Sequence, residues 1–496
     1  MLLSTITFMF FGNLTAQDQF RLSDYKNPDY KWQRLDLGFG LGGTNSFLMQ
    51  DIENGIKDKN FINRFQSEVS AAYYSTKNSE HYQGYLNFGL LGDFFAESDH
   101  DKNITDNLDV KQKTNNQNIY LNAKTVNRFY GKRKQFVEIN LDLDGQLYNS
   151  VEKNTAQPEE LPFLNKKTDN IYQLSASLPL LIGKGRIEEV QDARLAVYIM
   201  DDLLKSGDLK RAPTSDEILA FSQFITQTKN QRFFDSRIRK IAEITAIDSF
   251  LTVVDLKAKS DASYYTLLND NWDNANGPVR RTGGRFSVGF MPGIDLYSNE
   301  SQNYLKDTLN NPDIIESYTH RSTDINNSWN IDAVALYTWE KPVNLYWQHV
   351  VNASIAYSLY YKQMTSKIYE MDTLYYEGKS KLDSPNLNLN LGYSIGYYPN
   401  SRTHLDLGLV TTFYKYWGDE KFNNDVTRDA GKISVDCDLN LSCYYYISQQ
   451  VRFSIWISST YSYSKLNQEL PVTESGERNS QYFYFRYGAS LTYSIF

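Results

Sequence analysis

The sequence predicts an all-β membrane protein: an antiparallel up-and-down transmembrane β-barrel of about 14 strands, with an α-helical insert between strands 6 and 7. Three observations predict it. Long runs alternate apolar and polar residues with period two. Connections between those runs are alternately long and short. A single stretch, residues 183–279, breaks both patterns and reads as helix.

The alternation is plainest from Lys432 to Ile447. There Ile433, Val435, Cys437, Leu439, Leu441, Cys443 and Tyr445 interleave with Ser434, Asp436, Asp438, Asn440, Ser442 and Tyr444. One face is apolar and the other polar, as a strand between lipid and water requires. Leu387 to Ile395, Leu405 to Leu409 and Val451 to Ile457 repeat the pattern. These runs exceed the usual soluble strand of roughly 5–6 residues and fit the 9–11 of a tilted membrane crossing. In chain order the strands are expected at 33–42, 61–76, 82–97, 117–131, 134–149 and 170–181. After the insert they follow at 280–296, 326–340, 344–363, 385–398, 403–416, 431–447, 450–465 and 481–496. Long polar loops are expected at 43–60, 98–116, 150–169, 297–325, 364–384, 417–430 and 466–480. Short turns are expected at 77–81, 132–133, 341–343, 399–402 and 448–449. Barrels pair short periplasmic turns with long outer loops.

With its Tyr-rich strand ends and terminal Phe496, the chain resembles the outer-membrane β-barrel proteins of Gram-negative bacteria, porin-like, with no specific family assigned. The resemblance implies a terminal assembly signal ending on Phe496, here with its apolar set at Ile495, Tyr493 and Leu491. It also implies outer-membrane lipid and the barrel-assembly machinery as partners. Residues 1–16 read as a secretion signal, apolar through Phe11 and closing on Ala16. The domains are then 1–16 signal, 17–182 barrel strands 1–6, 183–279 insert and 280–496 barrel strands 7–14.

Composition agrees. The chain has 496 residues, 15% of them aromatic, and a net charge of −8. Its mean hydropathy is −0.53, and no run reaches the 18 apolar residues of a membrane helix. Acidic balance argues against nucleic acid as a partner. Cys437 and Cys443 lie on one strand, about 20 Å apart at 3.3 Å per residue, too far to bridge.

In the insert, Val190, Ala193, Val197, Met200 and Leu204 follow helical spacing, and Gly207 is placed to cap the C-terminus. Thr214 and Glu217 form a capping-box pattern ahead of Ile218, Phe221 and Ile225. Asp235 opens a third helix carrying Ile238, Ile241, Leu251 and Val254.

Each motif has a bland reading. Gly38-Phe39-Gly40-Leu41-Gly42-Gly43 matches a dinucleotide fingerprint, but no helix follows and a glycine-rich strand end explains it. Asp142-Leu143-Asp144-Gly145 lacks the bidentate Glu of a calcium loop. In a barrel Glu138, Asp142, Asp144, Asp406, Asp436, Asp438 and Arg452 line the lumen. Trp329, Trp339, Trp347, Tyr397 and Trp417 fall at strand ends and read as interface aromatics. His349 faces outward near Trp347, with no outward Ser beside it to make a lipase pair. Arg232, Arg237, Arg239 and Lys240 form a basic cluster, either a solvated face or a dock for an acidic partner.

Three functions compete. The first is a channel for small solutes or ions, whose acidic lumen would favour cations or neutral solutes, with the insert docking to a periplasmic protein. The second is an assembly component anchored by its barrel. The third is a phospholipase-type enzyme, which lacks a visible constellation of residues. No catalytic residue, metal or cofactor is assigned, and non-enzymatic action is expected.

Overall fold

A computed structural model describes residues 20–52, 56–103, 108–157, 163–230, 236–274, 279–307, 316–400, 402–423, 426–447, 451–469 and 475–493. The signal expected at 1–16, Arg232, Asp235 and Phe496 lie outside them. Before the insert the strands are β1 (Tyr30–Ile52), β2 (Ile56–Ser79), β3 (Tyr82–Asn103), β4 (Leu108–Tyr130), β5 (Gln135–Ile139), β6 (Leu141–Gln157), β7 (Phe163–Ser177) and β8 (Leu180–Glu189). After it come β9 (Arg281–Asp307), β10 (Glu316–Pro342), β11 (Trp347–Glu370), β12 (Thr373–Asp383), β13 (Asn386–Tyr397), β14 (Thr403–Phe422), β15 (Val426–Tyr446), β16 (Val451–Glu469) and β17 (Ser475–Tyr493).

All pairings are antiparallel between chain neighbours, apart from three interruptions. β5 and β6 both pair with β4. β7 and β8 both pair with β9. β12 and β13 both pair with β11 and β14. Each such couple is one pass of the chain broken at a residue or two: Asn140, Leu178-Pro179 and Ser384-Pro385. Proline lacks the N–H that the ladder needs, which accounts for two of the breaks.

One face of the rolled sheet is a belt of exposed Leu, Ile, Phe and Tyr. Leu409, Leu439, Ile355 and Leu391 belong to it, and each is paired to another outward residue. Its edges carry aromatics. Trp329 stacks with Tyr361 at 5.7 Å, and Trp347 meets Tyr397 at 4.4 Å. Trp329 and Trp339 lie on the same face of β10 and pair with outward residues of β11. Ten positions at about 3.3 Å each, tilted by about 40°, span about 25 Å of height, the thickness of a barrel's apolar band. No helix is long and apolar enough to cross a membrane.

One expectation needs correction. The long polar loops are largely strand: β2 and β3 pair through Asp58↔Asn103, and β10 and β11 through His320↔Glu370. Beyond the belt both faces are wet, so apolar alternation vanishes while the backbone ladder continues. Polar cross-strand contacts such as Arg64–Glu97 (2.5 Å) and Asn60–Asp99 (3.0 Å) replace it. Among the described residues β1 and β17 are not hydrogen-bonded to each other, and both are exposed along most of their length.

The insert forms four helices: α1 (Gln191–Lys205), α2 (Ser215–Lys229), α3 (Ser236–Val253) and α4 (Ala262–Asn274). Leu195, Ile199, Leu203, Phe221, Ile225, Ile247, Leu251 and Leu268 make their shared core. Gly207 ends α1 with φ +77°, the left-handed turn that glycine adopts without strain. Thr214 and Glu217 make a reciprocal capping box. Arg211 and the Thr214 contacts hold the Glu217 carboxyl at about 2. A depressed carboxyl pKa stabilises above its unfolded value and loses that as pH falls through the folded one. The cap is therefore expected to contribute about 1 kcal/mol at neutral pH, lost between about pH 4.5 and 2. Thermal melting of the 222 nm signal at pH 7 and pH 3 checks it: Glu217→Gln should lower the midpoint only at the higher pH.

Candidate functional site

The inward face carries the polar side chains, and most of the acidic ones already have partners. Asp142 takes Lys124 at 3.0 Å and Asp144 accepts from Tyr120 Oη at 2.8 Å. Asp438 accepts from Thr460 Oγ1 at 2.5 Å, and Asp436 accepts from Ser462. Asp406 lies on the inward side of β14, between outward Leu405 and Leu407. Arg452 rests 6.0 Å from the Tyr444 ring. Glu138 is almost fully buried and pairs with Arg128 at 2.5 Å. The acidic wall is thus a set of local pairs rather than a row of free carboxylates.

At the insert end the inward-facing side chains form a floor. Its cavity, of about 750 Å³, is lined by Tyr30, Gln83, Arg128, Arg281, Arg285 and Glu340 among others. Those side chains come from strands between β1 and β11, so the sheet has curled round to bring them together. Arg281 reaches Glu189 at 3.6 Å and Glu340 at 3.7 Å. Arg186 pairs with Glu188 at 2.5 Å and donates to Glu80 O and Asn78 Oδ1. β8 and β9 approach closely here because Gly185 and Gly283 have φ of +110° and +120°. A Cβ on either would lie 2.1 Å from a carbonyl of the other strand.

The insert is seated against this floor. Val197 and Tyr198 of α1 pack with Leu345 of the β10–β11 turn and with Leu22 and Tyr25 of the N-terminal lead. Tyr198 Oη donates to Tyr398 O at 3.2 Å. Asp270 of α4 pairs with Arg402 beside the β13–β14 turn. Tyr25 Oη meets Thr226 Oγ1 of α2 at 2.7 Å. Arg280 donates to the carbonyls of Leu345, Asn344 and Trp347 and to Gln348 Oε1, and so ties the end of the insert to the same turn.

Two members of the basic cluster have partners inside the insert. Arg239 pairs with Glu243 one turn along α3 at 2.7 Å and donates to Lys229 O of α2 at 3.0 Å, and Lys240 pairs with Asp273 of α4 at 2.5 Å. Arg237 lies on α3. His349 contacts the Tyr393 hydroxyl at 2.7 Å on the outer face. Trp417 meets Tyr357 at 6.3 Å and Trp339 sits beside Gly284, both outward. The glycine-rich segment 38–43 lies inside β1 and ends no strand.

Sequence reading missed the basic floor. The signal was present in Arg194, a cation set among Ala193, Leu195, Ala196 and Val197. A cation inside an apolar helical run faces something other than bulk water.

No protein-family model matches the chain, and no curated protein matches it. Solved structures resemble it at low identity. The translocator domain of the autotransporter NalP from Neisseria meningitidis is 8% identical over 81% of this chain and 88% of its own, with a TM-score of 0.23. The transport unit of the autotransporter AIDA-I from Escherichia coli is 9% identical over 94% and 90%, at 0.18. OmpT, an outer membrane protein of Vibrio cholerae, is 7% identical over 93% and 99%, at 0.20. At these scores the likeness adds nothing to the strand pairing itself.

Proposed function

We propose that this chain is a fourteen-pass barrel of the Gram-negative outer membrane, acting as a solute channel whose periplasmic mouth is capped by its own helical insert. An even number of passes leaves β1 and β17 antiparallel. Unpaired edges are not tolerated in lipid, so the two close on each other in the bilayer. The observation that carries the reading is the seating of α1, α2 and α4 on the barrel: they meet the N-terminal lead, the β10–β11 turn and the β13–β14 turn at once. A module that merely hung from the barrel would have no need of contacts to three separate parts of its rim.

The cap is held by a small apolar seam, so a charge in that seam should loosen it. Leu345, in the turn, is 8% exposed where α1 packs on it. Leu345→Lys is expected to raise ion flux into liposomes several-fold over the unaltered protein, because a further buried cation beside Arg280, which already lacks a counter-charge, disfavours the docked state. Unchanged flux in a correctly folded variant would count against a cap.

A second reading rests on α3, which presents Ile241 and Val253 at 69% and 84% exposure. In that reading the insert also holds a periplasmic protein. A partner lost on Val253→Asp, with flux unchanged, would favour it.

A further inference from the structure

Two guanidinium groups at the floor are buried without a counter-charge. Arg194 of α1 is 2% exposed and Arg280 is 0% exposed. They lie 5.2 and 4.7 Å from the centre of one ring, that of Tyr398. Among the described residues neither makes an ion pair, and the charges that act on them are each other and the hydroxyls of Tyr198, Tyr398 and Tyr444. Burial lowers both guanidinium pKa values. Arg280, pressed also by Arg194, falls to about 10 and so stays charged at neutral pH. On the barrel side His404 stacks on Tyr398 at 4.5 Å and is 8% exposed. Neither of its ring nitrogens has a hydrogen-bond partner.

Buried like charges repel, and a buried charge without a partner is strongly disfavoured. The donors of Arg280 go mainly to carbonyls, which orient it but leave its charge uncompensated. The Arg186, Arg281 and Arg128 groups nearby each have a glutamate. Among the described residues this cluster combines two cations, an unpartnered imidazole and phenol hydroxyls; the carboxylates of Asp406 and Glu340 are near enough to act on Tyr398 but make no ion pair with either guanidinium. Such donors suit a planar or tetrahedral oxyanion.

We propose that Arg194, Arg280 and His404, gathered round Tyr398, form a binding site for a small oxyanionic group, a phosphate or a carboxylate, between the insert and the barrel floor. The site rests on the reading of the insert as docked to that floor. Bound there, the anion would bridge α1 to β14 and steady the cap.

The test is calorimetric titration of the purified full chain in detergent, with inorganic phosphate and with acetate, at fixed ionic strength. Saturable one-site binding of at least one is expected. Phosphate alone points to the phosphoryl class, and acetate alone to the carboxylate class. Arg194→Gln should weaken binding about tenfold or more, and His404→Gln should weaken it without touching the helices. Arg186→Gln, at a cation already paired with Glu188, should leave it unchanged. Circular dichroism at 222 nm checks that the Arg194 variant keeps its helices, and the His404 variant tests the site from the barrel side. Binding of neither probe would overturn the proposal, as would equal binding by the Arg194, His404 and Arg186 variants. Conductance plays no part in this measurement, so a failure of the channel reading is told apart from a failure of the site.

Discussion

Leu439→Arg is expected to destabilise the barrel by about 2–4 kcal/mol, while Asp438→Arg, one residue away, is tolerated. Leu439 is 48% exposed on the outward face of β15 and pairs with Leu409 on β14 and Ser459 on β16. It lies between the level of Trp417, opposite Gly431, and that of Leu405, opposite Cys443. That places it near the middle of the apolar band, where an arginine must be desolvated or drag water inward. Asp438 points the other way, toward Thr460 on the inward face. An arginine there loses one hydrogen bond but stays in water, and it should shift ion selectivity toward anions. Urea unfolding in vesicles, followed by the gel mobility of folded and unfolded forms, measures both. Equal tolerance at the two positions would contradict the register.

The second large effect lies in the insert. Phe221→Ala should cost the bundle about 3–5 kcal/mol. Phe221 is fully buried and stacks on Phe250 at 5.1 Å, in the cluster that includes Ile225, Ile247 and Leu251. Truncation leaves a cavity, since Phe224 is itself already stacked on Phe250 at 5.0 Å. Helical signal at 222 nm should melt at lower temperature, with the barrel's gel mobility unchanged. Loss of both together would mean that the insert and barrel fold as one unit.

How much of this was legible in the sequence follows from what each residue faces. Ile433 to Tyr445 alternates because lipid and lumen demand opposite chemistry on opposite sides. Residues 316–325 do not alternate, because that part of β10 stands in water on both faces, and such a stretch reads as loop. α4 was missed for another reason. Tyr264, Leu268 and Trp272 are spaced for one helical face, and Asp261 caps it through Tyr264 N at 3.0 Å. Its Asn, Asp and Tyr content nevertheless has weak helix propensity, and packing against α1 decides the matter. The capping box and Gly207 were legible because each works within a few residues of itself. The floor was not, since Arg128, Arg186, Arg281 and Arg285 converge only when the sheet curls. Trp456 shows the same limit. It lies over Gly488, where a Cβ would come within 2.7 Å of its ring, a fit that is visible only across strands.

The central claim is that the insert closes the barrel. Single-channel conductance in planar bilayers tests it most directly, comparing the full chain with a variant in which residues 191–274 are replaced by a short Gly/Ser turn. Glu189 and Arg281 already face each other across β8 and β9, so a turn can join them without rearranging either strand. The account predicts low or intermittent conductance for the full chain and a large, steady conductance for the shortened one. Equal conductance from two correctly assembled barrels would contradict it.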